Sequence, residues 1–118
     1  MPFTATHKHV RMSARKIRPL ADMIRGKFAD EALNLLRYQP QRGARFLEKV
    51  LRSAIGNAQD PDQNQGRVVS VEQLVVTDAR IDGGPMFKRI RPRARGTAFT
   101  VLRRSAHISV SVEDIGEI

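Results

Sequence analysis

Residues 83–104 read GGPMFKRIRPRARGTAFTVLRR, and the fold turns on this stretch. It holds Lys88, Arg89, Arg91, Arg93, Arg95, Arg103 and Arg104 and no Asp or Glu. Cations at that density repel one another, and a small domain cannot neutralise them internally, so the compensating charge belongs to a partner. Gly83, Gly84 and Pro85 interrupt one β-type run, and a second begins near Thr97. The pattern predicts a long two-stranded ribbon with a basic end, spanning approximately residues 80–104. Arms of about ten residues, at roughly 3.3 Å each, would carry it on the order of 30 Å beyond its anchor. If the end is extended, Arg91, Arg93 and Arg95 form a comb on one side, with Met86, Ile90 and Ala94 supplying apolar surface between the cations.

Outward from the ribbon, the returning arm runs from Thr97 to Val112 and ends in clean alternation. Ala106, Ile108, Val110 and Val112 take one face, and Ser105, His107, Ser109 and Ser111 the other, as in a half-buried strand. The outgoing arm, Arg67 to Ile81, is dense in β-branched residues (Val68, Val69, Val71, Val75, Val76, Thr77, Ile81), with a bulge or a late start near Gln73 where alternation fails. Before it, residues 57–66 (NAQDPDQNQG) read as an exposed loop. The acidic residues near the end, Glu113, Asp114 and Glu117, read as a solvated tail.

Three helices precede these strands. In the third, Leu47, Val50, Leu51, Ala54, Ile55 and Ala58 form one apolar stripe, with Arg45, Lys49 and Arg52 on the opposite side. A shorter second helix is capped by Asp30, carries Ala32, Leu33, Leu35 and Leu36, and ends before Pro40. The first starts at Ser13, repeats Ile17, Leu20, Ala21 and Ile24, and stops at Gly26. Pro19 lies inside it and predicts a kink or a restart, because it deletes a donor and crowds the preceding turn. Phe3 to Val10 forms a short strand with His7 and His9 on one face. The whole is an α+β domain, residues 1–118. Its three helices pack on a small antiparallel sheet of about three strands, the third covering the apolar face, and the long basic hairpin extends from the sheet.

Composition narrows the partner. Lys and Arg total 21 against 12 acidic residues, for a net charge of +9 and a pI near 11.2, the footprint of a nucleic-acid binder. A membrane-surface protein would need an amphipathic helix with Trp or Phe on its apolar face; Trp is absent, and Gly and Pro break the most basic stretch. There is no apolar run of membrane-spanning length, no signal-type region in MPFTATHKHV, and no cysteine. Disulfides and thiol chemistry are thereby excluded, and a reducing cytosol is expected. The ribbon holds no Asn or Gln for reading base edges and only Phe87 and Phe99 for stacking, which favours shape-dependent binding of folded RNA.

Around the first helix, Arg11, Arg15, Lys16, Arg18, Arg25 and Lys27 are interrupted only by Asp22, so phosphate contact is the expected use of these cations. Catalysis is not expected. His7, His9 and His107 could serve a metal-free ribonuclease, but no nucleophile context, Gly-rich phosphate loop or paired carboxylates accompany them. His7 and His9 lack further ligands for a metal, and no cofactor is implied.

The motifs SARKIRPLADMIRGK (residues 13–27), GPMFKRIRPRARG (84–96) and SAHISV (105–110) together resemble the bacterial large-subunit ribosomal protein L-twenty-two family, over nearly the whole chain. The resemblance implies a cytoplasmic, non-enzymatic component of the large ribosomal subunit. It would sit as a monomer on the subunit surface among ribosomal RNA and neighbouring ribosomal proteins, and would support assembly. Its hairpin would line the nascent-peptide exit tunnel near the constriction where macrolides bind. Ser13, Arg15, Lys16 and Arg18 match the family's first-helix RNA motif, and Lys88, Arg89, Arg91, Pro92, Arg93 and Arg95 its hairpin end. The tunnel-facing residues would be Met86, Phe87, Lys88, Arg89, Ile90, Arg91, Pro92 and Arg93, beside the passing peptide. RNA contacts would comprise Arg11, Arg25, Lys27, Arg103 and Arg104 as well. Pro19, Gly83 and Thr97 depart from the family pattern: the first questions a straight helix, the second loosens the hairpin neck, and the third removes a phosphate contact. The alternative is a stand-alone RNA chaperone or non-specific nucleic-acid binder.

Overall fold

The computed structural model describes residues 2–60, 70–92 and 94–114, apart from the side chain of Phe99. The expected loop beyond Asp60, the strand residues Val68 and Val69, Arg93 and Glu117 lie outside these. The order is β1 (Phe3–Val10), α1 (Ala14–Ile24), α2 (Ala29–Tyr38), α3 (Arg42–Gln59), a 3-10 turn (Val71–Gln73), β2 (Leu74–Gly83), β3 (Phe87–Pro92), a turn (Ala94–Gly96), β4 (Ala98–Arg103) and β5 (Ala106–Asp114). Strands β1, β5 and β2 form one antiparallel sheet with β5 in the centre, and β3 and β4 form a separate two-stranded hairpin. The α+β architecture is the one expected.

The apolar patterns fold as read. Ile17, Leu20, Ala21 and Ile24 of α1 are buried, as are Leu47, Leu51, Ala54 and Ala58 of α3 and Ala106, Ile108, Val110 and Val112 of β5. The sheet is roofed by two helices rather than one: α3 lies over β1 and β5, α1 over β2. Gly26, at φ +84°, ends α1, and its N–H donates to the Val76 carbonyl at 2.8 Å.

Several expectations need correction. Helix α1 runs through Pro19 without restarting. Pro19 is exposed at the middle of the helix, and the carbonyl it leaves without a helical donor is that of Arg15, also an exposed residue. Ser13 occupies the N-cap position, yet its hydroxyl makes no capping bond. Phe28, not Asp30, is the N-cap of α2; Asp30 sits in the first turn, where its carboxylate accepts the Glu31 N–H at 2.8 Å. Strand β2, by contrast, starts late as expected, at Leu74, and bulges between Val76 and Asp78. Glu113 and Asp114 are not tail but the end of β5, paired with Val75 and Leu74. In β1, Phe3 and Ala5 face the core and so does Val10, a change of parity that forces a bulge between His7 and Val10. His9 takes φ 61° there, so the two histidines do not share a simple strand face.

The ribbon is also not continuous. It divides at residues 84–86 and 104–105, leaving a hairpin with six-residue arms and a strand reach of roughly 20 Å, shorter than expected. The molecule is still elongated, 66 × 28 × 17 Å, with a radius of gyration of 17.7 Å against about 13.5 Å for a compact chain of this length.

The basic side of α3 is partly used internally. Glu48, 8% exposed, accepts from Arg45 at 3.2 Å and from Arg52 at 2.7 Å. Arg45 Nη2 also donates to the Leu36, Arg37 and Gln39 carbonyls at 2.7, 3.1 and 2.6 Å, closing the end of α2. Both arginines are about half exposed, which screens the pairs. Glu48→Gln is therefore expected to cost only about 1 kcal/mol, a fall of roughly 4 °C in Tm by calorimetry.

Candidate nucleic-acid interface

The site forms where the hairpin leaves the sheet. At this neck the Gly84 N–H donates to the Ser105 carbonyl at 3.0 Å, and the Ser105 hydroxyl donates to the Pro85 carbonyl at 2.6 Å. Ser105 is buried, not on the outer face that alternation assigns it, because its hydroxyl completes this tie. Gly83, in contrast, is the last paired residue of β2, opposite Ala106, so the strand is ordered up to the neck. Beside the neck, the His9 N–H donates to His107 Nδ1 at 3.1 Å, and the two rings meet edge to face with centroids 4.9 Å apart. His7 instead packs edge-on against Phe46 at 6.3 Å.

Between the neck, the start of α1 and the start of α3 lies an open cleft of about 790 Å³. Arg11, Lys16, Arg42, Arg89, Arg103 and Arg104 line it, with Ser13, Ser105, His9, Phe87 and Leu102, and among the described residues no carboxylate does. The cations come from four places in the chain. Arg42 is held with its guanidinium 5.5 Å from the Phe46 ring centroid. Gly43 brings the start of α3 close to α1: a Cβ there would stand 3.2 Å from Ile17 and 3.3 Å from Leu20. The first turn of α1 contains no acidic residue, so the positive end of its dipole adds to the field. A smaller hollow of about 510 Å³ adjoins the cleft, sharing Ser13, Arg104 and Ser105 and adding Arg15, Arg18 and Met86.

Arg18, at the smaller hollow, and Arg25 also bond within the chain. Arg18 Nε donates to the Ile81 carbonyl at 3.2 Å. Arg25 pairs with Asp22 at 2.7 Å and donates to the Ala79 carbonyl. Both therefore tie α1 to β2. Lys27 is exposed and lines neither hollow.

On the hairpin, register places Phe87, Arg89, Arg91, Val101 and Arg103 on one face and Lys88, Ile90, Pro92, Ala98, Thr100 and Leu102 on the other. Of the expected arginine comb, Arg95 does not continue the strand face of Arg91. Strand β3 stops at Pro92, and Arg95 sits in the closing turn at φ 62°, followed by Gly96 at φ 72°. Thr97 caps that turn, its hydroxyl donating to the Ala94 carbonyl at 2.8 Å. Ile90 is 73% exposed and Phe87 52%.

Arg42 and His9 were not among the expected contacts. Arg42 stands next to the stripe of α3, and no spacing rule shows that this helix begins beside the hairpin. His9 enters through the β1 bulge, which the change of parity from Ala5 to Val10 does signal.

The family model for ribosomal protein L22p/L17e matches residues 5–113. The chain is 63% identical over 116 residues to the large ribosomal subunit protein uL22 of Rhodopirellula baltica, covering 98% of each. It is 45% identical over 111 residues to the protein of the same name from Caldicellulosiruptor saccharolyticus, covering 94% of this chain and 87% of that one. Matches of this extent take in the cleft and the hairpin as well as the core, and the chain belongs to the ribosomal protein L22p/L17e family.

Proposed function

We propose that the chain is a structural, non-enzymatic component of the large subunit of cytoplasmic ribosomes, bound to ribosomal RNA through the cleft and the hairpin. The observation that carries this reading is the convergence of Arg11, Lys16, Arg42, Arg89, Arg103 and Arg104 on one cleft with no carboxylate among the described residues that line it. Such a surface is stable only against phosphates. Arg15 and Arg18 extend it around Ser13, and the hairpin cations extend it outward. Arg25 is better assigned to holding α1 on β2, since Asp22 and the Ala79 carbonyl occupy its guanidinium.

The far end of the hairpin, Ile90 to Pro92 and the closing turn, helps line the exit tunnel beside the passing peptide, and its insertion among RNA helices supports subunit assembly; Met86 and Phe87, expected at that end, stand at the hairpin root, where Phe87 pairs with Arg103 beside the neck. Neighbouring ribosomal proteins complete the surroundings. A ribonuclease would need a free acid and base; His107 Nδ1 is already committed to the His9 N–H.

If six cleft cations each displace a counterion, affinity of the purified chain for ribosomal RNA falls about a thousandfold between 50 and 200 mM salt. Filter binding across that range measures the slope, and a flat response overturns the reading. Stoichiometric co-sedimentation with large subunits after a high-salt wash separates a resident component from an exchanging chaperone, which washes away.

A further inference from the structure

We propose that the cleft at the hairpin root holds one unpaired nucleotide of the RNA, its base stacked on Phe87 and its phosphate among Arg11, Lys16, Arg42, Arg103 and Arg104. This rests on the RNA-binding reading and specifies which RNA element that site takes.

A surface that only tracks phosphates needs cations and nothing else. This one also contains a phenyl ring that is 52% exposed, although an aromatic of that size normally goes to a core or an interface. The Arg89 guanidinium lies over that ring, 5.8 Å from its centroid. Aromatic rings and guanidinium planes are the two side-chain surfaces on which unstacked bases settle, and here they are paired. The charge of the surroundings decides the occupant. An apolar peptide side chain would bury Phe87 but leave the cations around it without counter-charge, whereas a nucleotide offers a π-face and an anion together.

Geometry agrees. About 790 Å³ lies in the range of sites that enclose a single small ligand, not a helix. Phe87 is two residues beyond Pro85, whose carbonyl is held by Ser105, and it pairs in register with Arg103, so the ring stands at a fixed distance from the cations. One ring makes a platform for one base, not the stacking sheet of a single-strand module.

The test uses the full chain and two blunt-ended RNA duplexes with the same base pairs, one fully paired and one carrying a single unpaired adenosine in one strand. The bulged RNA should bind about tenfold more tightly, with the same salt slope. Phe87→Ala should bring the ratio of the two affinities to about one, and Phe87→Tyr should retain the preference. Equal affinity of the native chain for both RNAs, or a preference that survives Phe87→Ala, overturns the inference and leaves the RNA-binding reading intact. Salt-independent or undetectable binding of both RNAs overturns the two together.

Discussion

Replacing Arg11, Lys16, Arg42 and Arg104 together by alanine is expected to weaken binding to ribosomal RNA about a thousandfold at roughly 0.1 M salt and to reduce the salt slope by about four. The four lie on the β1–α1 connection, α1, α3 and the neck, yet they line one cleft. All are exposed, so truncation opens no cavity in the core. Alanine at 42 also removes the stacking of the guanidinium on Phe46, worth about 0.5–1 kcal/mol. Melting should therefore change little while affinity collapses. Alanine at Arg45 and Arg52 removes two charges as well, but these face Glu48 and the end of α2. That variant should melt earlier and keep its salt slope. A common slope for the two variants would mean that net charge, not the cleft, governs binding.

The contrast also marks how far the site was legible. Arg11 and Lys16 could be read because the segment is almost free of carboxylates, Ser13 only through the family resemblance, and all three line the cleft. What spacing could not reveal is which cations are used up inside the chain. Arg25 donates to a carbonyl of a strand more than fifty residues away, Arg18 does so through Nε while still lining the smaller hollow, and Arg45 closes a neighbouring helix. Arg42 depends on tertiary approach: Gly43 lets α3 begin against Ile17 and Leu20 of α1, and only then does its first residue reach the cleft.

The fold itself was more open to reading, since burial repeats at the helical and strand periods. Ile17 through Ile24 and Ala106 through Val112 were placed correctly by pattern alone. The split of the ribbon was not. Residues 97–112 form one β-type run by composition, and nothing in it announces an interruption after Arg103. The interruption comes from across the neck, where the Ser105 hydroxyl turns to the Pro85 carbonyl. A seryl hydroxyl that alternation would send to solvent is buried for that bond.

That tie makes Gly84 the position where one added side chain should do most damage. A Cβ there would stand 2.6 Å from Ser105 Oγ and 3.2 Å from His107 Cε1. The first distance is too short to keep, and Ser105 is buried with its hydroxyl committed to Pro85, so relief breaks the bond or displaces the strand. His107 cannot retreat freely either, because its Nδ1 accepts the His9 N–H that stabilises the β1 bulge. Valine adds two further carbons to the clash. Gly84→Val is accordingly expected to cost about 3 kcal/mol, combining overpacking with a lost buried hydrogen bond. Calorimetry should show a fall in Tm of roughly 12 °C. Gly83→Val, one residue earlier, meets nothing within 4 Å and sits in a paired strand, so it should melt like the native chain. The neck also fixes Arg103 and Arg104 relative to Lys16, and Gly84→Val should weaken RNA binding even at temperatures where the domain remains folded. If both valine variants melt alike, or if Gly84→Val binds RNA as tightly as the native chain, then the neck does not hold the hairpin against the cleft.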